Sequence, residues 1–187
     1  MEAFITEFHR PPIEFSREDE EWINNYVNEA SKIFFGTPYK PKAPLIPEEL
    51  DYTIGGYTQF QCSQKGCTPT KIGLNRKLQE ERKFAEYSIA IHEKTHEAMT
   101  QAYPYLPIIL DEDLIEGIVI YATIEKALID GNHDLALIIY NSLSPEYREY
   151  YHSFKKLNRE LEKEGIKINQ WLGYLNEYAK KIIGKYN

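Results

Sequence analysis

The chain has 187 residues, of which 42% are hydrophobic and 27% charged, and this composition indicates a globular protein and excludes a disordered one. The 29 acidic residues outnumber the 22 basic ones and give a net charge of -7. Nucleic-acid-binding domains usually carry a basic excess, so we expect no nucleic-acid partner. The apolar runs are far shorter than the ~18 residues that span a bilayer, so we expect no membrane association. Without a recognisable signal peptide, the sequence predicts a cytoplasmic protein.

A long helix is predicted over residues 17–35, where apolar side chains recur at helical spacing. Ser16 is the expected N-cap, and Asp19 stands three residues later, as in a capping box. Gly36 follows the last apolar residue and is expected to end the helix.

The segment 37–75 contains five prolines and four glycines, so it cannot form a long helix. We expect a small sheet there, with Gly55-Gly56 as the turn of a hairpin between its first two strands. The predicted strands cover residues 51–54, 57–62 and 71–75.

Helical periodicity returns after the sheet and continues to the C-terminus. The predicted helices cover residues 78–102, 112–129, 134–141, 145–165 and 169–183. Together these elements predict an α+β fold in one domain, 1–187. Its upper subdomain, 1–103, holds the first helix, the sheet and the next helix, and its lower subdomain, 104–187, is helical.

The sequence His92-Glu93-Lys94-Thr95-His96 places an H-E-x-x-H motif on the helix predicted over 78–102. Residues four apart lie on one face of a helix, so both imidazoles can bind one metal ion. Zinc accepts histidine nitrogen readily, and it lowers the pKa of a bound water. Glu93 stands beside His92 and can take a proton from that water. The motif therefore predicts hydrolysis at a carbonyl group.

Glu116 is the expected third ligand of this metal ion, because a catalytic zinc has three protein ligands and one open position. It lies twenty residues after His96, near the start of the helix predicted over 112–129. Its sequence neighbours are apolar, which predicts a buried carboxylate, and a buried carboxylate needs a partner.

The chain resembles the gluzincin zinc metallopeptidases. The resemblance lies in His92-Glu93-Lys94-Thr95-His96, in the twenty-residue step to Glu116, and in Glu116-Gly117 followed by Tyr121. It implies a zincin-like fold with one zinc in the cleft between the two subdomains, a peptide or protein substrate, and Glu93 as the general base. It also implies that the strand 71–75 lies at the cleft edge and pairs with the peptide. The chain is similar in size to the minigluzincins.

Ile120 departs from the gluzincin pattern, because thermolysin-like members have an aspartate at that position that orients a histidine ligand. Asp113 and Glu125 are the acidic residues that could replace it. The resemblance also implies a downstream tyrosine or histidine that stabilises the oxyanion, and Tyr151 and His152 are the residues we expect in this role. Other residues of the right type are His133, Tyr147 and Tyr150.

A ferritin-like di-iron protein is an alternative, because Glu93 to His96 and Glu149 to His152 are both E-x-x-H motifs. The prolines and glycines of 37–75 disfavour it, and it leaves His92 without a role. A second alternative is a non-catalytic protein, which binds zinc without turnover or acts as a helical interaction module.

The small gluzincins are often latent, with a terminal segment in the cleft. By this resemblance, residues 1–15 or 180–187 could cover the site. Cys62 and Cys67 are separated by four residues, and they are equally compatible with a disulfide and with two free thiols.

Overall fold

The computed structural model describes residues 15–51, 55–75 and 83–185, and it shows an α+β fold with a small mixed sheet and a helical C-terminal half. The three strands are β1 Leu45–Glu48, β2 Gly56–Ser63 and β3 Gly66–Asn75. The helices are α1 Arg17–Ala30, α2 Lys83–Ala102, α3 Leu106–Ile109, α4 Glu112–Ile129, α5 His133–Ser142, α6 Pro145–Lys163 and α7 Ile168–Lys185. None of these described helices is long and apolar enough to cross a membrane.

The first helix confirms the predicted caps. The Ser16 hydroxyl accepts a hydrogen bond from the Asp19 amide, and the Asp19 carboxylate accepts one from the Ser16 amide, both at 3.1 Å. The last part of the predicted helix, Ser31–Phe35, is a π-helical turn rather than regular α-helix. It ends at Gly36, whose φ of 73° is the left-handed conformation that glycine adopts without strain.

The sheet has the order β1-β3-β2, with β1 parallel and β2 antiparallel to β3. The predicted strands 57–62 and 71–75 lie inside β2 and β3. The hairpin prediction was wrong: the turn joins Ser63 to Gly66, and Gly56 already belongs to β2. Of the strand predicted over 51–54, Asp51 lies outside the observed strands, and residues 52–54 lie outside the described part of the chain.

The cleft-edge prediction for 71–75 is also wrong, because β3 is the central strand and has partners on both sides. In the part of the chain that the structure describes, β1 and β2 each pair only with β3, so both are edge strands and each has an open edge. The Cys62 and Cys67 sulfurs form a disulfide between these two strands. The sequence was compatible with a disulfide and with two free thiols, and the structure shows the disulfide.

The helices after the sheet follow the prediction closely. The bounds of α4 are those predicted, and α5, α6 and α7 differ from the predicted bounds by at most two residues. The helix predicted over 78–102 is observed as α2, and its residues 78–82 lie outside the described part of the chain. The short helix α3 lies between the helices predicted over 78–102 and 112–129, where no element was predicted.

Helix α2 is anchored by Glu97, which is fully buried. The Glu97 carboxylate accepts hydrogen bonds from the Tyr39 hydroxyl at 2.6 Å and from the Lys42 and Ala43 amides at 2.7 and 2.8 Å. The Gln101 side chain adds a fourth at 3.1 Å. A buried carboxylate needs such donors, because desolvation without them is costly. These bonds fix α2 to the segment that leads into β1.

Gly117 determines how closely α4 packs against α6. A Cβ at this position would lie 2.9 Å from the Tyr150 carbonyl oxygen and 3.1 Å from the Phe154 Cβ. Only glycine therefore permits this approach. The contact places the first turns of α6 beside Glu116, the residue that precedes Gly117.

Candidate metal centre

His92, His96 and Glu116 form a possible metal-binding triad. The two imidazole Nε2 atoms lie 3.0 Å apart. Oε2 of Glu116 lies 3.0 Å from Nε2 of His92, and Oε1 lies 3.1 Å from Nε2 of His96. The structure thus brings together the three side chains that the sequence predicted as ligands, although they come from two different helices.

Two helices build the triad. Helix α2 presents His92 and His96 one turn apart, as residues four apart on one helical face must be. Helix α4 supplies Glu116 from its second turn. The two helices meet at buried threonines, where the hydroxyl oxygens of Thr123 and Thr95 lie 3.4 Å apart.

The side chains of the triad suit a bound cation better than a cluster held together by hydrogen bonds alone. Two Nε2 atoms that face each other can share at most one hydrogen, and a carboxylate oxygen has none to offer. Oε2 of Glu116 is buried and accepts no well-aligned hydrogen bond from the described residues. A positive ion between the three side chains would satisfy all three sets of lone pairs.

The charges of the triad perturb the titration of its members. Burial alone would raise the pKa of Glu116, but His96 and His92 hold this pKa well below its usual range. Burial alone would lower the pKa of His96, but the carboxylates of Glu116, Glu93 and Glu112 raise it. The site therefore keeps Glu116 ionised, which is the form that binds a metal ion.

Glu93 is buried, with 6% of its surface exposed, and its side chain is not part of the triad. Its Oε2 accepts a hydrogen bond of 2.7 Å from the Thr58 hydroxyl on β2. Glu93 directly follows His92 on α2, and its carboxylate contributes to the raised pKa of His96.

Tyr147 lies in the first turn of α6, within electrostatic range of the triad. Burial raises its pKa to about 12, and the negative charges of Glu116, Glu112 and Glu93 contribute to the increase. Its hydroxyl makes no hydrogen bond with the residues that the structure describes. Tyr147 is one of the tyrosines that the sequence left open for the oxyanion, and 39% of its surface is exposed.

Tyr151, which the sequence suggested for the oxyanion, has its hydroxyl engaged by other side chains in this structure. Its hydroxyl donates to Glu125 at 2.8 Å and also contacts the Lys155 ammonium. Glu125 lies nine residues after Glu116, or about 13 Å along the helix axis. Glu125 is thus engaged with Tyr151 and Lys155 rather than with a histidine of the triad.

His152 is also directed elsewhere, because its Nε2 lies 3.0 Å from the Tyr140 hydroxyl. Glu149 and His152 do not join the triad, so the second E-x-x-H motif does not complete a di-iron site within the described residues. His133 is exposed at the start of α5. Tyr150 donates its hydroxyl to Glu146 at 2.7 Å.

The two segments considered as covers of the cleft are only partly described. Residues 1–14 and 186–187 lie outside the described residues, and Phe15 packs edge-on against Tyr87 with ring centroids 5.5 Å apart. Helix α7, which contains residues 180–185, packs against α3 and the π-helical turn. There, the Asn176 side chain accepts a hydrogen bond from the Tyr105 amide at 2.9 Å.

Comparison with protein-family models, with curated proteins and with solved structures finds no match to this chain.

Proposed function

We propose that the protein is a zinc-dependent metallopeptidase in which His92, His96 and Glu116 hold the ion. The observation that carries the proposal is the convergence of these three donors, each within 3.1 Å of the next, with Glu93 directly after His92 on α2. The resemblance of the two helical motifs to those of gluzincins supports the same activity. A zincin-like arrangement, with the ion between the sheet-bearing and helical subdomains, belongs to this proposal.

Zinc is the metal that this donor set suits best. Zinc–nitrogen bonds of about 2.0–2.1 Å in a tetrahedral site put neighbouring donors about 3.3 Å apart, close to the separations in the triad. Calcium and magnesium prefer sites made of oxygen ligands, and two of the three donors are nitrogens. Three protein ligands also leave a fourth position open, as in catalytic zinc sites.

Each protein group has a defined part in peptide hydrolysis. Bound zinc supplies a Lewis acid that polarises the scissile carbonyl and makes a neighbouring water more acidic. Glu93 takes a proton from this water as its oxygen attacks the carbonyl carbon. Glu93 then gives the proton to the leaving nitrogen as the C–N bond breaks. The Tyr147 hydroxyl donates a hydrogen bond to the oxyanion that forms on the carbonyl oxygen.

The peptide is proposed to dock along the open edge of β2. An extended peptide can add to an unpaired strand edge through main-chain hydrogen bonds. Thr58 connects this strand directly to Glu93, so a peptide on β2 would pass beside the triad. This role replaces the one that the sequence assigned to the strand 71–75.

The proposal is tested by peptide cleavage with zinc-loaded protein and with the variant Glu93→Gln. We expect about one zinc per chain in both proteins and cleavage of a mixed peptide library only by the wild type. Glutamine preserves the size of the side chain but cannot accept the proton. Full activity in Glu93→Gln would contradict the mechanism. A zinc-loaded wild type that cleaves no peptide would instead favour the non-catalytic zinc-binding protein.

A further inference from the structure

We infer that Thr58 is a positioning residue that holds the carboxylate of Glu93 for proton transfer. The inference rests on the proposed function, since it concerns the orientation of the general base. Thr58 lies on β2 and Glu93 on α2, so the contact joins the sheet to the helix that carries the H-E-x-x-H motif.

The Thr58 hydroxyl contacts Glu93 at two points. It lies 2.7 Å from Oε2 of the side chain and 3.0 Å from the main-chain carbonyl oxygen of the same residue. A hydroxyl has one hydrogen, and the carboxylate is both the closer acceptor and the charged one. The hydrogen bond therefore goes to Oε2 and leaves Oε1 for the reacting water.

The backbone of β2 comes close to α2 because residue 56 is a glycine. A Cβ at Gly56 would lie 2.8 Å from Ile89 Cγ2, 2.9 Å from the Gly73 carbonyl oxygen and 3.2 Å from Glu93 Cγ. Residues two apart in a strand point to the same face, so Gly56 and Thr58 both face the helix. Gly56 provides the space, and Thr58 provides the hydrogen bond.

A glutamate side chain that is free to rotate loses much of its rotamer freedom when it is fixed in one conformation. In this site the folded protein has already lost the rotamer freedom of Glu93, because Thr58 fixes its carboxylate before substrate binds. Preorganisation of this kind acts on the rate of the chemical step rather than on substrate binding. The expected signature of removing the hydroxyl is thus a lower kcat with an unchanged KM.

The test compares Thr58→Val, which keeps the shape of the side chain, with Thr58→Ser, which keeps the hydroxyl. Loss of a hydrogen bond to a charged group is expected to lower kcat by about 10- to 100-fold in Thr58→Val. Thr58→Ser should restore kcat to within about threefold, with zinc content and KM unchanged. The matched control is Thr68→Val, the same substitution at an exposed position of β3.

Crystal structures of zinc-loaded wild type and Thr58→Val provide a readout that does not depend on activity. We expect the Glu93 carboxylate to leave its wild-type orientation in Thr58→Val. A carboxylate that stays in place, or a kcat within twofold of wild type, would overturn the inference. Failure of Thr58→Ser to rescue kcat would overturn it as well. A wild type that is inactive although Thr58 still fixes Glu93 would instead contradict the proposed function.

Discussion

Oε1 of Glu116 lies 3.1 Å from Nε2 of His96, although the two residues are twenty positions apart in the chain and the short helix α3 lies between them. The contact joins the second turn of α4 to the middle of α2. This long-range contact adds a third donor to the two histidines of α2 and so completes the possible metal-binding triad.

Replacing Glu116 with glutamine should weaken zinc binding by at least about 100-fold, since a neutral amide replaces an anionic ligand. Competition with a chelating dye measures the change in dissociation constant. The control is Glu112→Gln, which removes the same charge from an exposed position one turn earlier on α4. Equal zinc affinity in Glu116→Gln and Glu112→Gln would show that Glu116 is not a ligand.

Zinc binding should weaken as the pH falls through the raised pKa of His96, because protons compete with the metal for its nitrogen. A raised pKa means that the folded metal-free protein holds this proton more tightly than the unfolded chain. The ion pair with Glu116 therefore stabilises the metal-free fold fully below the ordinary histidine pKa of 6.5, and this contribution is lost as the pH rises through the raised value.

The increase in melting temperature on adding zinc should accordingly grow from pH 6 to pH 8. Differential scanning calorimetry with and without zinc measures this increase. His152→Gln serves as the control, because His152 bonds to Tyr140 and should leave the pH dependence unchanged. An increase that is the same at both pH values would contradict the assignment of His96.

Tyr147→Phe should lower kcat by about 10- to 100-fold without loss of zinc, because it removes the hydroxyl proposed to stabilise the oxyanion. Tyr151→Phe removes the same atom from a residue that bonds to Glu125 instead, so its kcat should stay within about threefold of wild type. Steady-state kinetics on one peptide compares the two variants. A larger loss in Tyr151→Phe would restore the role that the sequence suggested.

Most of the helical scaffold could be predicted from the sequence, whereas the placement of the tyrosines could not. Apolar periodicity predicted α4, and the four-residue spacing of His92 and His96 determined their common face. The register between α4 and α6 depends on the approach at Gly117, which is a tertiary contact. That register decides which groups the tyrosines of α6 meet, such as Glu125 for Tyr151.

The sheet was harder to predict because the strand patterns in its sequence are short and are interrupted by proline and glycine. Strand β1 contains Pro47, and an edge strand tolerates proline although the sequence pattern argues against a strand there. Gly56 suggested a turn, but it lies in β2, where it makes room for α2. A glycine required for close packing and one required for a turn look the same in a single sequence.

Gly117→Ala should destabilise the fold by about 1–3 kcal/mol, because the added methyl group meets backbone and side-chain atoms of α6. Gly173→Ala is the matched control: its nearest neighbour would be 4.0 Å away on Tyr103, so it should be neutral or stabilising by up to about 1 kcal/mol. Urea denaturation measures both changes. Equal stability of the two variants would show that α4 and α6 do not pack as closely as described.

The proposed zinc ion between α2 and α4 can be located by a crystal structure of the zinc-loaded chain with anomalous diffraction at the zinc edge. We expect one anomalous peak per chain, about 2.0–2.2 Å from Nε2 of His92, Nε2 of His96 and a carboxylate oxygen of Glu116. A zinc peak elsewhere, or a Glu116 carboxylate turned away from both histidines, would contradict it.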